Sequence, residues 1–304
     1  MKSFRVLLSF ILIVGIYQPI LFATEVTKHI VDSSGHPMTL WHKQPDGDYD
    51  HSKQLILLHG RTWSSLPDFD LQVKGEELSL MDNLTELGFS VWALDARGYG
   101  ETPRDQTGWN TPDKAAKDAV NVLTWIEKKT GIKPIIFGWS YGSMVSQLMV
   151  QQYPDAAKAV ILYGYPIDPD VTYDVAESPK VPPKKKNTAK NAASDFIVPG
   201  SISQKAIDTY VSESLKADPY RADWNELQQW AQLDARQIKI PLLLLQGEHD
   251  PLAESASHAR FFISLPNANK QWVVLAGGDH AALLETPKDR LVHSINDFVE
   301  WLKR

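Results

Sequence analysis

The strongest constraint on the fold is a series of short, continuously apolar segments alternating with segments of helical period. Lys53–Leu58 (KQLILL), Phe89–Leu94 (FSVWAL), Lys133–Phe137, Ala159–Tyr163 and Pro241–Gln246 (PLLLLQ) are such runs. A strand that is apolar on both sides must be covered on both faces, as in a mostly parallel sheet between two helical layers. Helical spacing recurs between the runs: Leu80, Leu84 and Leu87 within Glu77–Leu87; Ala116, Val120, Leu123 and Ile126; and Met144, Val145, Leu148 and Met149. Thr111-Pro112-Asp113 is a helix start, and Gly88 and Gly131 are stops. Val26–Val31 and Pro37–Lys43 read as a hairpin turned at Ser34-Gly35. Trp272–Leu275 reads as a last strand, and Leu291, Ile295, Phe298 and Leu302 line a last helix. The alternation predicts an α/β fold, a mostly parallel central sheet flanked by helices.

Two stretches depart from this grammar. Residues 1–23 carry a basic head (Lys2, Arg5), an apolar run from Val6 to Ile16, a break at Pro19 and a small residue at Ala23. That is the layout of a secretory signal peptide, although Leu21 sits where a smaller residue is preferred. The alternative is an uncleaved anchor, because Val6–Ala23 has about 18 residues, the lower limit for a span. Export to the periplasm or medium is the expectation, with no stable membrane span after removal of the leader. The second stretch, 165–236, has no convincing buried strand. It holds seven prolines, a lysine run at Lys184–Lys186 and helical segments around Gln204–Lys216 and Trp224–Leu233. It is too long for an ordinary connection, and reads as a mainly helical cap inserted between a first core part, 24–164, and a second, 237–304. The lysine run reads as a solvated loop.

Composition removes several classes of function. The chain of 304 residues is 43% apolar, 22% charged and carries a net charge of −6. A mildly acidic chain lacks the basic face that nucleic-acid binding requires. With no cysteine, there is no disulfide framework, thiolate nucleophile or cysteine zinc site. Gly98-Tyr99-Gly100 runs into Thr102-Pro103 without the third glycine of a dinucleotide loop. No cofactor and no metal are expected; a metal reading of His249, Asp250 and His258 has no established ligand spacing.

Chemistry concentrates at Gly138-Trp139-Ser140-Tyr141-Gly142. A serine bracketed by glycines at two positions on either side, with a strand before it and a helix after it, fits a cramped turn that exposes its hydroxyl. An unreactive glycine turn is the alternative. A hydroxyl needs a base to take its proton, and the base needs an orienting carboxylate. His280 follows the last strand and Asp250 follows the Pro241–Gln246 strand, so both fall at the carboxyl edge of the sheet with Ser140. Asp168, after Ala159–Tyr163, is the competing acid. The oxyanion of an intermediate needs donors: the amide of Tyr141, after the serine, and that of Arg61, in the His59-Gly60-Arg61 loop, which His59 would brace. Trp63 and Trp139 are candidates for the wall of the substrate pocket.

HGR at 59–61, DARGYG at 95–100, GWSYG at 138–142, GEHDPL at 247–252 and GGDHAALLE at 277–285 together resemble the α/β-hydrolase superfamily. The matching blocks run from about residue 50 to the C-terminus, except for the cap. The resemblance implies Ser140 as nucleophile, Asp250 as acid, His280 as base, and Arg61 and Tyr141 as oxyanion amides. It makes DARGYG a structural loop, with Asp95 and Arg97 as braces. Relatives with an aspartate nucleophile are disfavoured by Ser140. The capped prolyl aminopeptidases are similar, but usually carry tryptophan after the serine, where Tyr141 stands here. The expected function is a serine hydrolase cleaving a carboxylic ester of a small or medium, apolar molecule. The alternatives are an aminopeptidase or amidase, or a non-catalytic binding protein on the same scaffold.

Overall fold

The structure, a computed structural model, describes residues 25–47, 49–171 and 179–303, so the apolar head at 1–23 lies outside the described residues. The strands are β1 (Thr27–Ser33), β2 (His36–Lys43), β3 (Gln54–Leu58), β4 (Ser90–Leu94), β5 (Trp109–Asn110), β6 (Ile135–Trp139), β7 (Val160–Tyr163), β8 (Asp223–Trp224), β9 (Leu242–Gly247) and β10 (Lys270–Leu275). The helices are α1 (Ser65–Phe69), α2 (Leu80–Glu86), α3 (Pro112–Thr130), α4 (Tyr141–Gln152), α5 (Ala189–Ala193), α6 (Gln204–Ala217), α7 (Ser255–Ser264) and α8 (Lys288–Trp301).

Eight strands form one sheet in the order β1-β2-β4-β3-β6-β7-β9-β10. β2 runs antiparallel to β1 and β4, and every other pairing is parallel. The parallel strands β3, β4, β6, β7 and β9 are buried at every position. Their side chains alternate between two apolar layers, with Leu55, Leu57, Ile135 and Phe137 on one face and Ile56, Leu58, Ile136 and Leu162 on the other. Each such side chain removed from water contributes about 1.5–3 kcal/mol before the entropy of ordering it. The edge strand β10 is half exposed along most of its length.

Local signals act where the sequence carries them. The Thr111 hydroxyl accepts from Lys114 N–H at 3.2 Å, Pro112 opens α3, and Gly131 at φ 75° closes it. α2 begins three residues later than its pattern suggested, because Ser79 caps it by accepting from Asp82 N–H.

The chain between β7 and β9 differs from expectation in detail. Gln204–Lys216 is helical, as α6, but Trp224–Leu233 is not a single helix. Trp224 belongs to the short strand β8, which pairs parallel with β5, and only Leu227–Gln232 coil into a 3₁₀ turn. Its tryptophan ring is needed elsewhere: the Trp224 indole N–H donates to the Tyr99 hydroxyl at 2.8 Å, and this holds the backbone extended.

Candidate active site

Parallel strands deliver their following loops to one edge, and here β3, β6, β7, β9 and β10 lie side by side. Five loops therefore meet there: His59–Trp63 after β3, Ser140 after β6, Gly164 after β7, Asp250 after β9 and His280 after β10.

Ser140 is the hinge between β6 and α4. Its backbone sits at φ 54°, ψ −119°, a conformation costly for any residue with a Cβ. Two long-range constraints hold it there. Its N–H donates to Tyr163 O of the adjacent strand at 2.9 Å, and Gly142 brings the first turn of α4 against β3. A Cβ on Gly142 would collide with the Leu58 carbonyl. The N-terminal end of α4 then points its unsatisfied N–H groups toward the serine.

The His280 Nδ1–H donates to Asp250 Oδ2 at 2.8 Å, and the other carboxylate oxygen accepts from Leu252 N–H at 2.9 Å. Asp250 and His280 are 6% and 7% exposed, so the pair is largely dry. With the proton held on Nδ1, Nε2 is left as an acceptor. Gly164, at φ 57°, allows the end of β7 to pass directly beneath the pair. A Cβ there would stand 2.9 Å from His280 Cε1 and 3.3 Å from Asp250 Oδ2. Sequence reasoning missed Gly164; its only signal was a glycine directly after a buried strand.

The loop after β3 is braced as expected. Ala96 N–H donates to His59 Nε2 at 3.0 Å, so the ring proton is on Nδ1, which donates to Gly60 O at 2.8 Å. Burial lowers the pKa of His59 to about 4 and keeps it neutral. Because the peptide is planar and trans, pulling Gly60 C=O one way turns Arg61 N–H the other way. The Tyr99 hydroxyl fixes the next peptide by donating to Arg61 O. Neither Arg61 N–H nor Tyr141 N–H has an acceptor among the described residues. Asp95 braces the same region by accepting from Trp41 Nε1, Ser65 N–H and Glu101 N–H. Arg97 is tied to Asp118 at 2.5 Å.

Other candidates fall elsewhere. Asp168 is held by Arg260 and by Ser257 at 2.9 Å. His258 is buried against Tyr165 O, whereas His249 is exposed beside Glu248. The two tryptophans expected in the pocket wall, Trp63 and Trp139, are 2% and 3% exposed. Trp139 Nε1–H donates to His280 O at 2.7 Å, and Trp63 Nε1–H donates to Asp195 at 3.2 Å. Burial raises the pKa of Asp195 to about 6, against hydrogen bonds from Trp63 and Tyr210. An apolar cavity of about 30 Å³ adjoins the loop after β3, lined by Gly60, Tyr141, Val145 and Trp224 among others. A larger cleft of about 630 Å³ is lined by Ser64, Asp95, Gly100 and Lys216 and contains none of Ser140, Asp250 and His280.

Comparison with known proteins agrees with this architecture. The chain is 27% identical over 274 residues to the biotin biosynthesis bifunctional protein BioHC of Cellvibrio japonicus, covering 82% of this chain and 48% of that protein. It thus spans about half the length of that relative. Among solved structures it resembles a serine hydrolase involved in carbazole degradation, with TM-score 0.65, 16% identity, and coverage of 91% of this chain and 99% of the other. An esterase from Rhodococcus sp. ECU1013 matches with TM-score 0.60, 18% identity and coverage of 92% and 100%. At such identities these structures speak to the fold. No helix among the described residues is long and apolar enough to cross a membrane. The model of the serine aminopeptidase S33 family matches residues 51–287, and the chain belongs to that family, as a hydrolase of the α/β-hydrolase superfamily.

Proposed function

We propose that the protein is a serine hydrolase that cleaves a carboxylic ester through an acyl-enzyme on Ser140. The observation that carries this reading is the strained backbone of Ser140 at the start of α4, on the same sheet edge as the His280–Asp250 pair. Ser140 Oγ attacks the ester carbonyl while His280 Nε2 takes its proton. Asp250 keeps the imidazole in the required tautomer and stabilises its charged form. The amides of Arg61 and Tyr141, both without another acceptor, receive the negative oxygen of the tetrahedral intermediate. Its collapse expels the alcohol, which takes the proton from His280. Water then attacks the acyl group by the same route and releases the acid. The chain from 165 to 236 acts as the cap that shapes the substrate site. Residues 1–23 direct export.

The test is labelling by a fluorophosphonate. Wild-type protein should be labelled at Ser140, and Ser140→Ala should not be labelled at all. Labelling that persists in the variant assigns the nucleophile elsewhere. A second reading, an aminopeptidase or amidase, is favoured by the family to which the chain belongs. A panel of 4-nitrophenyl esters and aminoacyl 4-nitroanilides separates the two by which series is turned over. For export, intact mass of protein recovered outside the cytoplasm should show loss of the leader; a retained Met1 favours an anchor.

A further inference from the structure

Arginines in this protein are usually paired. Arg97, Arg104, Arg236 and Arg260 each meet a carboxylate. Arg61, Arg221 and Arg290 meet none among the described residues, and the first two stand beside the loop that adjoins Ser140. Arg61 is exposed, and its guanidinium carbon lies 5.0 Å from the centre of the Tyr141 ring. Arg221 reaches in from the chain between β7 and β9, where its Nη2–H donates to Thr62 Oγ1 at 3.2 Å. Its Nε is buried with no acceptor. Burial, and next the charge of Arg61, hold Arg221 below its ordinary pKa.

A buried donor without an acceptor and two uncompensated like charges are both unfavourable. The carboxylates nearby are occupied. Asp223 accepts from Arg104 at 2.6 Å and from Lys184 N–H. Asp218 accepts from Ser64 N–H and Gly100 N–H, each at 2.8 Å. Asp195 lends Arg221 some support but receives the Trp63 indole. Burial raises Asp195 and Asp218 to about 6, which weakens both as counter-ions in acid. The lysine run adds positive charge on the same side. Arg221 N–H donates to Lys185 O at 2.8 Å, and Lys186 bridges to Tyr220. Lys184, Lys185 and Lys186 are exposed, and none forms an ion pair with a described carboxylate.

We propose that Arg61 and Arg221 form a subsite for a carboxylate carried by the ester that Ser140 attacks. This rests on the hydrolase reading and extends it: the substrate has an anionic end as well as an apolar body. Planar guanidinium groups suit a carboxylate better than lysines would. One group comes from the oxyanion loop and the other from the segment over it, so the bound anion would tie the two together.

Two matched ester pairs test the proposal and locate the charge. For the acyl side, 4-nitrophenyl valerate is compared with the 4-nitrophenyl monoester of glutarate; for the alcohol side, 4-acetylphenyl butyrate with 4-carboxyphenyl butyrate. Wild-type protein should favour the charged member of one pair in kcat/KM by about tenfold or more, the scale of one charge-assisted hydrogen bond. Arg221→Gln should remove most of that preference, and Arg221→Lys should restore part of it. A preference unchanged by Arg221→Gln in both pairs overturns the subsite while leaving the hydrolase reading intact. If no ester is turned over and Ser140 resists the fluorophosphonate, the hydrolase reading fails, and binding decides the subsite instead. Millimolar glutarate should raise the melting temperature of the wild type but not of Arg221→Gln. An equal shift in both proteins, or none in the wild type, overturns the subsite.

Discussion

Ser140 and His280 sit on the same sheet edge but are held there in different ways. Ser140 is held by the backbone around it. β6 ends, α4 begins, and glycine at 138 and 142 lets the two pack against their neighbours. His280 is held by side chains that come from far along the chain. Trp139 takes its carbonyl, while the Tyr163 hydroxyl donates to Asp279 O at 2.7 Å and accepts from Ala282 N–H at 2.9 Å. The Asp279 carboxylate accepts from Ile197 and Val198 N–H, at 2.7 and 2.8 Å, tying the histidine loop to the chain between β7 and β9. Glu285 in the same loop accepts from the Ser201 hydroxyl at 2.7 Å. The place of Ser140 is set by backbone packing, and that of His280 by side chains borrowed from several parts of the chain.

The largest effect should come from the partner of His280. Asp250→Asn leaves a hydrogen-bonding group of the same shape but favours the wrong tautomer, so kcat should fall by about 10⁴-fold. A loss of less than about tenfold would remove Asp250 from the role of orienting acid. The circular dichroism spectrum should be unchanged.

Next comes the elbow. Gly142→Ala forces a methyl group into the Leu58 carbonyl, and β3 is a central strand that cannot easily give way. Overpacking of this kind costs about 1–3 kcal/mol, and a displacement near 1 Å costs about 10²-fold in rate. Melting temperature and kcat should fall together. A variant with normal activity would show that the elbow is looser than its packing implies.

Trp139→Phe sharpens the comparison, because this residue precedes Ser140 but donates to the carbonyl of His280. It keeps most of the apolar contact and leaves the His280 carbonyl without its donor, at a cost of about 1–3 kcal/mol. Turnover should fall about tenfold. The rate of fluorophosphonate labelling, measured against that of Ser140 in the wild type, should fall in proportion if the displaced base is the cause.

The smallest effect concerns pH and stability. Burial raises the Glu285 carboxyl to about 7, against opposing hydrogen bonds and with a further push from Asp279. The folded protein therefore holds this proton more tightly than the unfolded chain does. Stability is full below the unfolded value, about 4.5, and is lost as pH rises toward 7. The melting temperature of wild-type protein should drop between pH 5 and 8, and Glu285→Gln should flatten that slope. Equal slopes would place the proton on another group.

The α/β class was legible because burial on both faces of a strand forces an uninterrupted apolar run, and KQLILL and PLLLLQ show it directly. Helix limits such as Thr111 and Gly131 were legible because capping is local chemistry. Location at the carboxyl edge followed for Ser140, Asp250 and His280 from strand order alone. The pairing of β5 with β8 was not legible, since two-residue strands carry no period. Nor were the half-buried Asp195 and the buried Asp218, whose surroundings come from distant parts of the chain.

The sequence by itself determined what depends on neighbours along the chain: the alternation of strands and helices, the glycine-bracketed serine and the histidine and aspartate at strand ends. Only the tertiary structure decided what depends on contacts across it. Trp139 and Trp63, read as pocket wall, donate to His280 O and to the Asp195 carboxylate. Gly164 became the floor beneath the His–Asp pair, and Arg61 and Arg221, 160 positions apart in the chain, came to face the same loop. The physical reason is one of range. Backbone preference acts over a few residues, whereas burial, charge and hydrogen bonding act on whatever the packed core brings together.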